Sequence, residues 1–184
     1  LLLAHSKKSM ENKENRHESM LSYIIPVYNA EAYIARCVRS LMEQNYSKIE
    51  YIFVDDNSQD KSIDLLRQTV DDYPNRKPMV KILTHNKRKG SATSRNDGLD
   101  VATGDFIMFA DSDDYVDLDY VTSMVNKAEK ENSDILYCDY YESYRDGDVL
   151  VQQDYGTDPS ICICSMLSRA MHGSTWNKIF RRTF

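Results

Sequence analysis

Phe106-Ile107-Met108-Phe109-Ala110-Asp111-Ser112-Asp113-Asp114 joins a continuous apolar run to three carboxylates within four positions. A run of this kind reads as a buried strand, and an open α/β sheet binds its ligands beyond the carboxyl ends of its strands. Asp111, Asp113 and Asp114 therefore stand where a ligand is expected. Carboxylates this close repel one another unless a cation neutralises them, and hard oxygen donors suit Mg²⁺ or Mn²⁺. The competing reading is helix capping by Asp113 or Asp114 ahead of a helix carrying Val121. An EF-hand does not fit, because Val116 stands where its glycine is needed and Thr122 where its glutamate is needed.

Working back from this stretch, Tyr23-Ile24-Ile25-Pro26-Val27-Tyr28-Asn29 predicts a first strand ending near Pro26, with Asn29 capping the next helix. Ile34, Cys37, Val38, Leu41 and Met42 recur at helical spacing. Ile49 to Val54 predicts a second strand that runs into Asp55 and Asp56. Ser58 or Asp60 then caps a helix with Ile63, Leu66 and Val70 inward. A third strand over Val80 to Leu83 leads into the basic loop His85-Asn86-Lys87-Arg88-Lys89-Gly90 and a helix carrying Ala92, Asn96, Leu99 and Ala102, closed by Gly104. Beyond the acidic cluster, Val121, Met124, Val125 and Ala128 mark a fourth helix and Ile135 to Cys138 a fifth strand. Repeated β-then-α units predict an open, mainly parallel α/β sheet with right-handed crossovers.

After Tyr140 the pattern weakens to a hairpin around Asp146-Gly147 that uses Val149-Leu150-Val151. No terminal element is predicted around Trp176, the only tryptophan. Residues 1–20 read as a polar leader, disordered or added for expression, and 21–184 as one domain cut short at its C-terminus. The 184-residue chain is 41% hydrophobic with a net charge of −6, which supports a sizeable core and disfavours a nucleic-acid partner. No apolar run approaches the roughly 18 residues that span a bilayer. Cys37, Cys138, Cys162 and Cys164 make no Cys-x-x-Cys pair, so reduced thiols in a cytoplasmic protein are expected.

Asp55 and Asp56 alone would be a loop and cap. Beside Pro26 and Tyr28, however, a carboxylate at a strand end is placed to accept a base or ribose proton while the Tyr28 ring offers a stacking face. Lys87, Arg88, Lys89 and Arg95, near a helix amino end at Gly90, could hold a diphosphate. The phosphate loops of NAD and P-loop proteins are absent, and His5, His17, His85 and His172 lack zinc spacing.

Ile25-Pro26-Val27-Tyr28-Asn29, Val54-Asp55-Asp56-Asn57-Ser58-Gln59-Asp60, Ser94-Arg95-Asn96-Asp97-Gly98, the stretch from Gly104 to Asp114, and Trp176-Asn177-Lys178 together resemble the ordered motifs of family 2 glycosyltransferases. The resemblance spans residues 22 to 182. It implies the GT-A nucleotide-diphospho-sugar transferase fold, a single mainly parallel sheet flanked by helices. It also implies metal-dependent, inverting transfer from a nucleotide diphosphate sugar, with uridine the favoured base. By position, Pro26 and Tyr28 would line the base pocket, and Asp56 would bond the base edge with Asp55 beside it. Lys89, Gly90 and Arg95 would approach the base and diphosphate. Asp111 would meet the ribose or the divalent ion, Asp113 would ligate that ion, Ser112 would belong to the nucleotide-sugar site, and Trp176 and Asn177 would lie in the acceptor or donor-sugar region. Asp114 is left as a cap or a supporting residue.

The resemblance further implies a saccharide or lipid-linked acceptor, polysaccharide or glycoconjugate synthesis, and work at the cytoplasmic face of a membrane by a peripherally associated protein. The family's carboxylate base lies downstream of Trp-Asn-Lys, where this sequence has none, so the base is expected beyond Phe184. A nucleotide-sugar-binding protein without catalysis is the alternative from another class. A nucleotidylyltransferase would need a glycine-rich loop after the first strand, and an Asp-x-Asp phosphatase would leave Asp55, Asp56, Pro26 and Tyr28 unexplained. Donor sugar, linkage and oligomeric state are left open.

Overall fold

The β-rich run at the start forms β1 (Leu21–Val27), whose seven residues are all buried because both faces of the strand are covered. In the computed structural model, which describes residues 18–153 and 174–183, β1 is the centre of a six-stranded sheet. On one side lie β2 (Ile49–Asp55) and β3 (Val80–Thr84), both parallel. On the other lies β4 (Phe106–Phe109), also parallel to β1. Beyond β4, the four-residue β8 (Lys178–Arg181) is antiparallel to both β4 and β5 (Ile135–Tyr137), the edge strand. A separate hairpin pairs β6 (Tyr140–Tyr144) with β7 (Gly147–Val151).

Strand side chains alternate between two cores, as the pleat requires. Leu21, Tyr23, Ile25 and Val27 pack with Phe53, Phe106, Met108 and Ile179 against the inward faces of α1 (Ile34–Met42), α2 (Ser62–Asp71) and α4 (Tyr120–Glu131). Ile24, Ile52, Val54, Ile107 and Phe109 form the other core with Phe180. α3 (Ser91–Asp100) packs on that side through Ser94 and Gly98, while Leu99 is exposed. A Cβ on Gly98 would lie 2.5 Å from Ile24 Cγ2. Gly98→Ala should therefore lower stability by about 1 kcal/mol in chemical unfolding, overpacking outweighing the better helix propensity of alanine.

The structure differs from the sequence expectations at several points. β1 continues through Pro26 to Val27, because alternate residues face the same neighbour and Ile24 O bonds Ala110 N. Pro26 thus faces β4 where that ladder has already ended, so its missing N–H costs nothing. Asn29 does not cap α1, whose N-cap is Tyr33; it takes a left-handed φ of 47° and its Oδ1 accepts Gln59 N at 2.8 Å. Neither cap offered for α2 is its N-cap, which is Lys61; Asp60, one residue earlier, accepts Ser62 N at 3.0 Å, and Ser58 Oγ accepts Asn29 N. Asp113 and Asp114 do not cap α4 either, since its N-cap is Asp119, which removes the capping explanation for the acidic cluster. The fifth strand ends at Tyr137, and β8 was not expected at all. Of the expected leader, residues 1–17 lie outside the described residues, whereas Met20 O accepts the amides of Asp105 and Phe106 at 2.7 and 3.1 Å. Cys162 and Cys164 also lie outside; Cys37 and Cys138 are free thiols. No described helix is long and apolar enough to cross a membrane.

One polar hub lies inside the fold. Glu50 of β2 is 4% exposed, and its Oε1 accepts Ser22 Oγ at 2.6 Å, Thr103 N at 2.6 Å and Thr103 Oγ1 at 2.9 Å, while Lys81 Nζ reaches Oε2 at 2.7 Å. Burial disfavours the charged carboxyl, but the bonds from Lys81, Ser22 and Thr103 more than offset it and take the group down to about 2.

Candidate nucleotide-sugar site

The register brings the loops after β1, β2, β3 and β4 to one carboxyl edge, with Val27 opposite Asp55, Asp55 opposite Thr84, and Ile24 opposite Phe109. Asp55 is buried and its Oδ1 accepts Ser58 N at 2.9 Å, closing the turn after β2. Asp56, 3% exposed, reaches across to the loop after β3. Its Oδ1 accepts Lys89 N at 2.7 Å and lies 2.8 Å from His85 Nδ1; its Oδ2 accepts Gly90 N at 2.7 Å. Burial acts to raise this carboxyl, and the hydrogen bonds from His85, Lys89 and Gly90 overcome it and hold the group below the ordinary carboxylate range. A base N–H would share an oxygen that already accepts a bond, which a carboxylate allows.

Tyr28 is 37% exposed, and the Arg88 guanidinium lies 4.1 Å from its ring centroid. A base stacking on that face would displace Arg88 or sandwich with it. Gly90 has φ +93° at the start of α3, a left-handed conformation that other residues adopt only with strain. Lys89 Nζ turns to Asp97 Oδ2 at 3.0 Å, while Arg95 crosses to Asp111 Oδ1 at 2.5 Å with its buried Nε unpartnered among the described residues.

The acidic loop leaves β4 with Ala110 still bonded to β1. Asp114 N bonds Asp111 O, Arg36 holds the Asp113 carbonyl at 3.1 Å, and Asp113 is exposed. Burial first, then Asp113 and Asp111, push the Asp114 carboxyl up to about 6. The like charges of Asp113 and Asp111 add to the effect of burial there. Among the described residues no three carboxylate, histidine or cysteine groups converge on one point. Asp111 and Asp113 are oxygen donors of the kind Mg²⁺ or Mn²⁺ accepts, but two carboxylates would need phosphate and water oxygens to complete the set, and Arg95 already holds one oxygen of Asp111.

A cavity of about 710 Å³ opens beside the acidic loop, with Asp113, Asp114, Tyr23, Asp139, Tyr140 and Trp176 in its wall. Tyr23 is fully buried, and its hydroxyl has no hydrogen-bond partner among the described residues. Trp176 packs edge-on against Tyr140 with centroids 4.6 Å apart. Asn177 is 1% exposed and ties the β5 end to β8, donating to Cys138 O and accepting from Ser174 and Lys178. The structure thus brings Tyr28, Asp56, Lys89, Gly90, Arg95 and Asp111 to one edge, with Asp113 and Trp176 around the adjoining cavity. Sequence reasoning missed His85, Asp97 and Tyr23, and it read Arg88 for a diphosphate where the structure lays it over Tyr28. Of the three missed, Asp97 carried a signal, as a member of Ser94-Arg95-Asn96-Asp97-Gly98.

A sequence profile described as glycosyl transferase family 2 matches residues 22–183. EpsH of Bacillus subtilis (strain 168), named as a glycosyltransferase, is 33% identical over 168 residues, covering 89% of this chain and 47% of that protein. The structure of S. aureus TarS 1-349 in complex with UDP superposes with a TM-score of 0.71 at 24% identity, over 89% of this chain and 47% of TarS. The mannosyltransferase PcManGT from Pyrobaculum calidifontis, in complex with GDP-Man and Mn²⁺, gives 0.61 at 23% identity over 66% of this chain and 36% of that one. The chain spans about half the length of the first two proteins.

Proposed function

The chain belongs to glycosyl transferase family 2 and has the GT-A fold, and from that premise we propose that it forms the donor-binding part of an inverting glycosyltransferase. The donor is a nucleotide diphosphate sugar, with UDP the favoured nucleotide, and the acceptor is a hydroxyl of a saccharide or lipid-linked glycan. The observation that carries this reading is the convergence of the four carboxyl-edge loops on Tyr28, Asp56, Arg95 and Asp111, beside the cavity walled by Asp113 and Trp176. The presence of UDP in TarS supports it.

In this reading Tyr28 stacks on the base and Asp56 accepts its edge proton. Arg95, half-committed to Asp111 and with Nε unpartnered among the described residues, presents a guanidinium to the diphosphate. Asp111 and Asp113 would hold Mg²⁺ or Mn²⁺, and the chemistry such an ion supplies is Lewis-acid stabilisation of the charge on the departing diphosphate. The cavity takes the sugars: aromatic rings cover the apolar faces of a pyranose. The acceptor proton passes to a carboxylate base as the new bond forms.

Calorimetric titration of UDP, GDP and CDP into the chain tests the reading. UDP should bind most tightly, by about tenfold over the other two in Mn²⁺, a difference of about 1.4 kcal/mol. Equal and metal-independent affinities would overturn the uridine donor.

A further inference from the structure

His85 lies between two carboxylates. Its Nδ1 is 2.8 Å from Asp56 Oδ1 and its Nε2 is 2.7 Å from Asp97 Oδ2, while its backbone N bonds Asp55 O at 2.9 Å. A neutral imidazole has one N–H and one lone pair, so it satisfies one of these carboxylates and turns a lone pair on the other. Only the imidazolium donates to both. Asp97 is held below the ordinary carboxylate range by its bond from Lys89 and then by that from His85. The charged groups meeting the ring or its partners are Asp56 from the β2 end, Asp97 from α3, and Lys89 from the loop.

We propose that His85 is a positioning residue for the donor: as a doubly donating imidazolium it ties the β2 end to α3 and fixes the 85–90 loop between them. The loop so fixed is the one whose Lys89 and Gly90 amides grip Asp56, the carboxylate expected to meet the base. Loss of one ring proton breaks one of the two ties, frees Asp97 to follow Lys89, and loosens the loop. This rests on the donor reading above, but the brace itself exists without any ligand.

Two measurements on the wild-type chain separate the two ideas. NMR of the ¹⁵N-labelled chain follows the His85 ring nitrogens and the exchange protection of the Lys89 and Gly90 amides as pH rises. Protection should fall about tenfold as the ring passes from two protons to one; unchanged protection across that titration overturns the brace. Titration of UDP-N-acetylglucosamine in Mg²⁺, a donor whose diphosphate ester carries no proton in this range, should show affinity falling about tenfold over the same step. His85→Gln should bind at the weakened level with a flat pH profile. Affinity that ignores the ring's titration, or wild-type affinity in His85→Gln, overturns the positioning role. Absence of donor binding at every pH overturns the donor reading alone, because the amide protection still decides the brace.

Discussion

Replacing Asp113 with alanine should weaken UDP binding in Mn²⁺ by about 100-fold, or about 2.7 kcal/mol, and leave the much weaker metal-free binding nearly unchanged. The expectation follows from the geometry of the acidic loop. Asp113 is exposed, makes no structural cap, and among the described residues has only its backbone carbonyl engaged, by Arg36, so its carboxylate is available to an ion. Asp111 differs, because Arg95 already neutralises it at 2.5 Å. Asp111→Ala therefore loses a ligand and also releases Arg95. Its loss should be as large in Mn²⁺, and it should alter metal-free binding as well. Asp119→Ala, an exposed acid at the start of α4, controls for general charge and should bind like the wild type. Nucleotide affinity in Asp113→Ala that still rises with Mn²⁺ as in the wild type would sink the metal assignment.

Glu50→Ala should cost about 3 kcal/mol in chemical unfolding, because it leaves Ser22, Thr103 and Lys81 without their shared buried acceptor. For a domain of this size the melting temperature should fall by about 6–12 °C. The carboxyl is taken down to about 2 in the fold from an ordinary 4.5, so its ionised form contributes stability above the ordinary value and loses it as pH falls toward about 2. The stability gap between wild type and Glu50→Gln, which keeps the shape and the Oε1 acceptor, should therefore be full at pH 7 and close between those two values. A gap that persists at pH 2 would show that the charge is not what holds the hub.

The helix stripe Ile34, Cys37, Val38, Leu41, Met42 could be read directly, because one amphipathic face against one sheet needs no distant partner to be recognised. The same holds for the apolar runs of β1, β2 and β4. Helix caps were harder. Asn29 and Ser58 have capping side chains, but each was taken by the other loop, and the choice between local and cross-loop bonds is made only when the strands are side by side. α3 hid its buried face for another reason: its contact uses Ser94 and Gly98, whose lack of bulk lets the helix approach Ile24 and Val54. A hydrophobic pattern does not report a face made of small residues.

His85 was set aside at the sequence level because it had no metal spacing. Its partners lie 29 and 12 residues away and meet it only because β2 and β3 end at the edge where α3 begins. β8 shows the same limit. Lys178-Ile179-Phe180-Arg181 holds two apolar residues, too few to announce a strand, yet the slot between β4 and β5 sends Ile179 to one core and Phe180 to the other.

By itself the sequence determined the alternation of strands and helices, the placement of Asp55, Asp56 and Asp111 at strand ends, and the likeness to glycosyl transferase family 2, because periodicity and short motifs are local properties of the chain. Tertiary structure alone decided that Asp56 grips the loop after β3, that Arg95 neutralises Asp111, that Arg88 covers Tyr28, and that β8 enters the sheet between β4 and β5. These pairings join residues far apart in the chain, and what selects them is the requirement that buried charges and strand edges find partners once the sheet has closed.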